Sequence, residues 1–255
     1  MNNNSVRQAL LERRLSVGTW IQIGHPAVAE VLASAGFDWI AVDMEHTDID
    51  NAGFAAIARG MHGRGVVPLA RVRENNTLAI RQVLDLGAQG VIVPLIHSAV
   101  DAERAVAAAK YPPRGVRGHC FSRMNNWGKD FDTYAASANE EIAVVVMIES
   151  RQGVENIDEI LAVDGVDGVF IGPYDLSGSY NVPGDTSNEL VRVGCSKVLK
   201  ACKNAGKSAG IHIVIPLKAT IEQAITDGFT FIAIGVDTVF LSAGANEIRM
   251  IMPEK

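Results

Sequence analysis

Eight short apolar runs, separated by segments of helical periodicity, restrict the folds open to this chain more than any other feature. They are VGTWIQI (17–23), DWIAVD (38–43), VVPLAR (66–71), GVIVPL (90–95), IAVVVMIE (142–149), GVFIG (168–172), AGIHIV (209–214) and FIAIG (231–235). Strands that are apolar almost throughout suit a parallel sheet covered on both faces. Between them, Pro26 is placed to open a helix that Gly36 closes, and Thr77 to cap one that ends at Gly87. Ser98 is placed to cap another that stops before Pro112–Pro113. These are ordinary helix punctuation marks, because proline, a short hydroxyl side chain and glycine each satisfy or terminate a helix end.

Eight strands with intervening helices are read as a closed α/β architecture, a (β/α)8 TIM barrel, and residues 1–255 as one barrel domain. The stretches AGFDWIAVD, LGAQGVIVP, VDGVDGVFIG and TDGFTFIAIG echo one another as helix, glycine, strand. They share no fixed short period, so they report repeated βα units rather than a solenoid. Two longer connections, residues 111–141 and 173–188, are expected to follow strand ends on the same rim and to carry function. The last segment, TVFLSAGANEIRMI, reads as a helix with apolar residues on more than one face, expected to pack against a neighbouring subunit.

Charge and composition exclude several function classes. There are 23 basic and 29 acidic residues, a net −6, and the basic ones are scattered, which argues against nucleic acid or an anionic membrane as partner. No apolar run approaches the ~18 residues of a membrane span. The three cysteines, Cys120, Cys195 and Cys202, lack metal spacing and read as buried free thiols in a reducing compartment. The polar, helical start MNNNSVRQALLERRL does not resemble a secretory signal, so a cytoplasmic location is expected.

Active sites of such barrels lie at the C-terminal ends of the strands. The polar residues there are Trp20 and Gln22, then Asp43, Glu45 and His46, then Arg71 and Arg73, then Glu149 beside Met147, then Asp175, and finally His212. Glu149 and Asp175 close neighbouring strands and are candidate ligands of a hard divalent cation, with helix capping as the alternative. Two protein carboxylates would leave positions for water and a chelating substrate. Asp43 and His46 have the composition of an orienting acid and a base, although Asp43 could instead cap a turn. Arg71 closes an apolar strand and needs an anion, which a substrate carboxylate, a developing enolate or Glu45 would supply.

Absences narrow the chemistry. No G-x-G-x-x-G or Walker-type loop is present, and the last two strand ends lack the glycine-rich turns of a barrel phosphate site. No lysine falls within the eight strands, which disfavours a Schiff base projecting into the barrel.

With these residues in view, GTWIQIGHPAVAEVLASAGFDWIAVDMEH, RQVLDLGAQGVIVPLI, KYPPRGVRG, VDGVFIGPYDLSGS and IAIGVDT resemble the HpcH/HpaI family of metal-dependent pyruvate aldolases, of the 4-hydroxy-2-oxo-heptanedioate aldolase type. The resemblance spans nearly the whole chain. It implies a homo-oligomeric barrel, a hexamer built as a trimer of dimers, that reversibly splits 4-hydroxy-2-oxo acids into pyruvate and an aldehyde. It further implies Glu149 and Asp175 as ligands of Mg²⁺ or Mn²⁺, with Co²⁺ a further candidate, and His46 with Asp43 as base and orienting acid. Arg71 would contact the keto oxygen. The turn Gly172, Pro173, Tyr174, Asp175 would hold the pyruvate carboxylate through its backbone, with Trp20 in the substrate-binding wall.

Three departures bear on the aldehyde. Met147 stands where many members carry Gln, Tyr174 where many carry Ala, and the loop GHCFSRMNNWG is more polar than the common version. With Asn125 and Asn126 in that loop, a hydroxylated or sugar-derived 2-oxo acid is the expected substrate. The alternatives are a CoA-thioester lyase of the citramalyl or malyl type, and a non-catalytic barrel that binds 2-oxo acids.

Overall fold

The computed structural model describes residues 4–251. The strands β1 (Ser16–Ile21), β2 (Trp39–Asp43), β3 (Val67–Arg71), β4 (Gly90–Val93), β5 (Ala143–Ile148), β6 (Gly168–Ile171), β7 (Ser208–Ile213) and β8 (Phe231–Val236) form a closed barrel in sequence order. Every neighbouring pair is parallel, β8 closing onto β1. Each strand begins and ends within two residues of its apolar run, because burial on both faces requires an unbroken apolar stretch.

The helices are α1 (Ser5–Glu12), α2 (Pro26–Ala33), α3 (Asn51–Gly60), α4 (Thr77–Leu86), α5 (Ala99–Ala109), α6 (Phe131–Glu141), α7 (Arg151–Glu155), α8 (Ile157–Leu161), α9 (Pro173–Ser179), α10 (Glu189–Asn204), α11 (Lys218–Asp227) and α12 (Asp237–Ile251). Pro26 is the first residue of α2, and Ser98 caps α5 by accepting from the amide of Asp101. The α4 cap is Asn76, whose side chain accepts from the amide of Ala79. Thr77 is therefore the first helical residue and not the cap, as the Asn side chain one position earlier accepts from the free amide.

Two cores result. One lies between strands and helices, and the other fills the barrel with Trp20, Trp39, Leu69, Ile92, Val145, Met147, Phe170 and Phe231. Trp39 stacks on Phe231 at 4.3 Å, and a Cβ on Gly18 would lie 2.0 Å from the Trp39 ring. Only glycine at that position admits the indole. Helix α1 plugs the N-terminal end with Val6 and Leu10, which join this inner core.

Two expectations about the periphery change. Residues 111–141 connect α5 to β5, so they lie on the N-terminal rim, opposite the strand ends; only 173–188 follows a strand. The fold ties the first segment there through Arg117, which pairs with Asp85 of α4 at 2.7 Å. Of the cysteines, Cys202 is buried and Cys195 half-buried, but Cys120, on this loop, is exposed. No helix among the described residues is long and apolar enough to cross a membrane.

Helix α12 departs from the barrel after one turn. Val239 and Phe240 pack on the cores, whereas Leu241, Ile248, Met250 and Ile251 are exposed.

Candidate active site

The C-terminal rim gathers most of the predicted residues around one cavity of ≈ 1070 Å³. Trp20, Gln22, Asp43, Arg71, Met147, Gly172, Pro173, Tyr174, Asp175 and His212 all line it. Glu149 sits just beneath, 5% exposed. His46 lies outside the lining, at the outer edge, with its side chain 57% exposed.

Strand register explains the central ion pair. In β2 and β3 Asp43 is the direct partner of Arg71, and parallel neighbours in register project their side chains to the same side. The Arg71 Nε donates to Asp43 Oδ1 at 3.0 Å and Nη2 to Oδ2 at 2.7 Å, a bidentate fork. Gln22 Nε2 donates to Asp43 Oδ2 at 3.1 Å. The amides of Glu45 and His46 donate to Oδ1, each at 3.2 Å. Asp43 is fully buried; burial raises its pKa, but the bonds and charge of Arg71, with Gln22 and the His46 amide, outweigh this and hold the carboxyl below its usual range.

Asp43 thus caps a turn and aims Arg71; its carboxylate does not orient the His46 imidazole. That ring instead approaches Glu45, Nε2 to Oε2 at 3.5 Å, while the same Glu45 oxygen lies 3.4 Å from Arg71 Nε. The physical reason is crowding of acceptor capacity: the guanidinium and two backbone amides already occupy Asp43. Burial, together with the charges of Asp43 and Asp175, pushes the Glu45 carboxyl up to about 7 against the pull of Arg71. Glu45 was legible as a possible partner of Arg71, which it approaches at 3.4 Å, whereas Gln22 was legible only as a rim residue, because its partner Asp43 ends the neighbouring strand.

Glu149 ends β5 with its Oε1 accepting from the amide of Leu95 at 2.7 Å. Leu95 takes φ +56°, a left-handed conformation uncommon for leucine, and this turns its N–H toward the carboxylate. Burial raises the pKa of Glu149 first of all, the Leu95 bond opposes it, and the negative charges of Glu45 and Asp175 add to it. A Cβ on Gly172 would lie 2.9 Å from Cβ of Glu149 and 3.0 Å from its Oε2, so glycine is needed for the turn to pass this close. Asp175, two residues into α9, is exposed to the cavity. Among the described residues neither Glu149 nor Asp175 enters a salt bridge within 4.0 Å.

The family described as HpcH/HpaI aldolase/citrate lyase matches residues 16–243. The chain belongs to the HpcH/HpaI aldolase/citrate lyase family. It is 36% identical over 248 residues to the 5-keto-4-deoxy-D-glucarate aldolase of Shigella sonnei, covering 95% of this chain and 96% of that one. A family protein from Burkholderia cenocepacia J2315 superposes with a TM-score of 0.93 at 32% identity, covering 97% of this chain and 98% of the other. The HpcH/HpaI aldolase of Desulfitobacterium hafniense DCB-2 gives a TM-score of 0.87 at 28% identity, with 97% of both chains covered.

As a member of the HpcH/HpaI family the protein is a carbon–carbon lyase of small molecules, and a divalent metal cation is the cofactor expected of that family. The residues fit such a group. Buried Glu149 has Oε2 outside any described hydrogen bond, and Asp175 and Glu45 bring further negative charge toward it. Carboxylate oxygen is the donor that hard cations prefer. Among the described residues no three ligand-type side chains converge to hold an ion by themselves.

Proposed function

We propose that the protein reversibly cleaves a sugar-derived 4-hydroxy-2-oxo acid into pyruvate and an aldehyde, with Mg²⁺ or Mn²⁺ held by Glu149 and Asp175. The observation that carries this reading is the acid set on the C-terminal rim: a buried Glu149 with no ion pair of its own that feels the negative charges of Glu45 and Asp175, with Arg71, held by Asp43, in the same cavity. The named substrate of the Shigella sonnei relative, 5-keto-4-deoxy-D-glucarate, supports the sugar-derived part.

The cation, when bound, supplies Lewis-acid polarisation of the 2-oxo acid. The chain's own groups do the rest. Arg71, locked by Asp43 and lying 4.8 Å over the Trp20 ring, presents fixed positive charge to the keto oxygen, where negative charge develops as the C3–C4 bond breaks. Preorganisation matters here because no reorganisation is then needed at the moment of reaction. The Gly172–Asp175 turn receives the pyruvate carboxylate. His46 takes the proton from the C4 hydroxyl during cleavage and returns it during addition. Glu45, 3.5 Å from its Nε2, is the acid that orients it. Tyr174, 63% exposed at the mouth, borders the aldehyde side.

The same reading makes the protein a homo-oligomer, a hexamer as its family resemblance implies. The support is α12, which carries Leu241, Ile248, Met250 and Ile251 into solvent and needs a neighbour to cover them.

The test is exchange of the pyruvate methyl protons in deuterated water, followed by cleavage of sugar-derived 4-hydroxy-2-oxo acids, each with chelator and Glu149→Ala controls. Both activities should disappear in both controls. Turnover that survives chelation and the substitution together would remove the metal-assisted mechanism.

A further inference from the structure

His212 is the polar residue of the cavity that the reading above leaves without a task. It lies near the end of β7, and its Nε2 is 2.9 Å from the carbonyl oxygen of Gly235 in β8. A carbonyl can only accept, so Nε2 carries the hydrogen. In the neutral ring Nδ1 is then a bare acceptor. Among the described residues nothing bonds to Nδ1, and the residue faces the cavity beside Trp20, ring centroids 5.9 Å apart. Burial, helped by the positive charge of Arg71 and opposed by the Gly235 bond and Asp43, lowers the pKa of this histidine, which favours the neutral ring.

The two walls of the cavity therefore ask for opposite partners. At one part of the lining, Arg71 and the backbone amides of Tyr174 and Asp175 at the start of α9 are donors, suited to the carboxylate and keto oxygens of a 2-oxo acid, which can only accept. At His212 a bare imidazole nitrogen wants a hydrogen-bond donor and repels a carboxylate or phosphate. The donor that an aldehyde derived from a sugar carries is a hydroxyl. The same cavity is also lined by Thr186, Arg192 and Gln223, further polar groups for a longer chain to meet.

We propose that His212 is a specificity-determining residue for the aldehyde half of the substrate, its Nδ1 accepting a hydrogen bond from a hydroxyl group beyond the carbon–carbon bond that is cleaved. This rests on the aldolase reading and adds the class of acceptor: hydroxyaldehydes over plain alkyl aldehydes. The hydrogen bond is made to a part of the substrate that does not react, so its loss falls on discrimination and not on formation of the pyruvate enolate.

The experiment compares wild type, His212→Leu and His212→Asn, whose amide oxygen can stand near the position of Nδ1. For each, kcat/KM is measured for addition of pyruvate to glyceraldehyde and to propanal, and methyl-proton exchange of pyruvate is followed without aldehyde. His212→Leu should lower kcat/KM for glyceraldehyde by about tenfold or more, the worth of one hydrogen bond left unmade. Its propanal reaction and its pyruvate exchange should stay near wild type, and His212→Asn should restore much of the glyceraldehyde preference. An equal loss on both aldehydes, or no loss on either, would overturn the assignment. Absence of pyruvate exchange in the wild type would instead sink the aldolase reading, so the two failures are distinguishable. Should the leucine variant not fold, ¹⁵N spectra of the histidine rings in the wild-type protein give a second test: His212 must show a protonated Nε2 and a bare Nδ1, and the opposite tautomer overturns the proposal.

Discussion

The two ends of the barrel bury charge in opposite ways. At the N-terminal end every buried ion has its partner within the chain. Arg7 meets Asp167 at 3.0 Å, and Asp167 also accepts from the amide of Val144. Lys110 gives its Nζ to the carbonyls of Asn139 and Ile142. Arg117 pairs with Asp85 and lies over the Tyr111 ring at 4.6 Å. At the C-terminal end Glu149, Glu45 and Asp175 outnumber Arg71, and Arg71 is already claimed by Asp43. Desolvating a charge costs several kcal/mol unless something compensates it. One rim compensates internally and so contributes to the integrity of the fold; the other, on the function proposed above, would leave the compensation to a cation and a substrate.

The difference can be broken most severely at the acid rim. Glu149→Ala should lower turnover about 10³-fold, yet leave the metal-free protein as stable as wild type or more so, since it removes a buried carboxylate that lacks a counter-charge. Thermal melting with and without Mn²⁺ sharpens the point. The wild type should gain about 2.7 kcal/mol at a metal concentration a hundred times its Kd, and Glu149→Ala should gain nothing. A variant destabilised without metal to the same degree as a broken ion pair would mean that Glu149 is structural.

The reciprocal change at the other rim is Asp167→Ala, which strands Arg7. It should cost about 3–5 kcal/mol in urea unfolding and leave kcat near wild type in the folded fraction. Arg71→Lys should then lower kcat/KM about 10²-fold, because an ammonium cannot make the two-pronged contact with Asp43 and so loses its aim. Circular dichroism should show an intact barrel.

The smallest effect concerns pH. Glu45 has its carboxyl raised from 4.5 to about 7, so the fold binds a proton that the unfolded chain releases. Its contribution is complete below about pH 4.5 and is lost as pH rises through about 7. In the metal-free protein, Tm should therefore fall by a few degrees more across that interval in wild type than in Glu45→Gln. Equal slopes would show that Arg71 already neutralises Glu45.

How much of this was readable beforehand differs between the rims as well. Glu149, Asp43 and Arg71 were visible because each ends an apolar run, and Asp175 because it lies just past one; charge in such a place demands a reason. The plug formed by α1 was not: SVRQALLE reads as an ordinary polar helix, and nothing local says that Val6 and Leu10 enter the barrel or that Arg7 finds Asp167, 160 residues away. The loop 111–141 was placed on the wrong rim because its length draws attention, whereas its side of the barrel depends only on whether a helix or a strand precedes it.

The residue pattern alone determined the eightfold alternation, the strand limits and the set of polar residues at the strand ends, since burial on both faces and helix termination are written locally in apolar runs, glycines and prolines. Only the closed barrel decided the pairings. Register set Asp43 beside Arg71, that bond turned His46 toward Glu45, and the pairing of β7 with β8 placed the Gly235 carbonyl against His212. Partners that lie on different strands are chosen by geometry in three dimensions, and a one-dimensional pattern holds the donors and acceptors without saying which will meet.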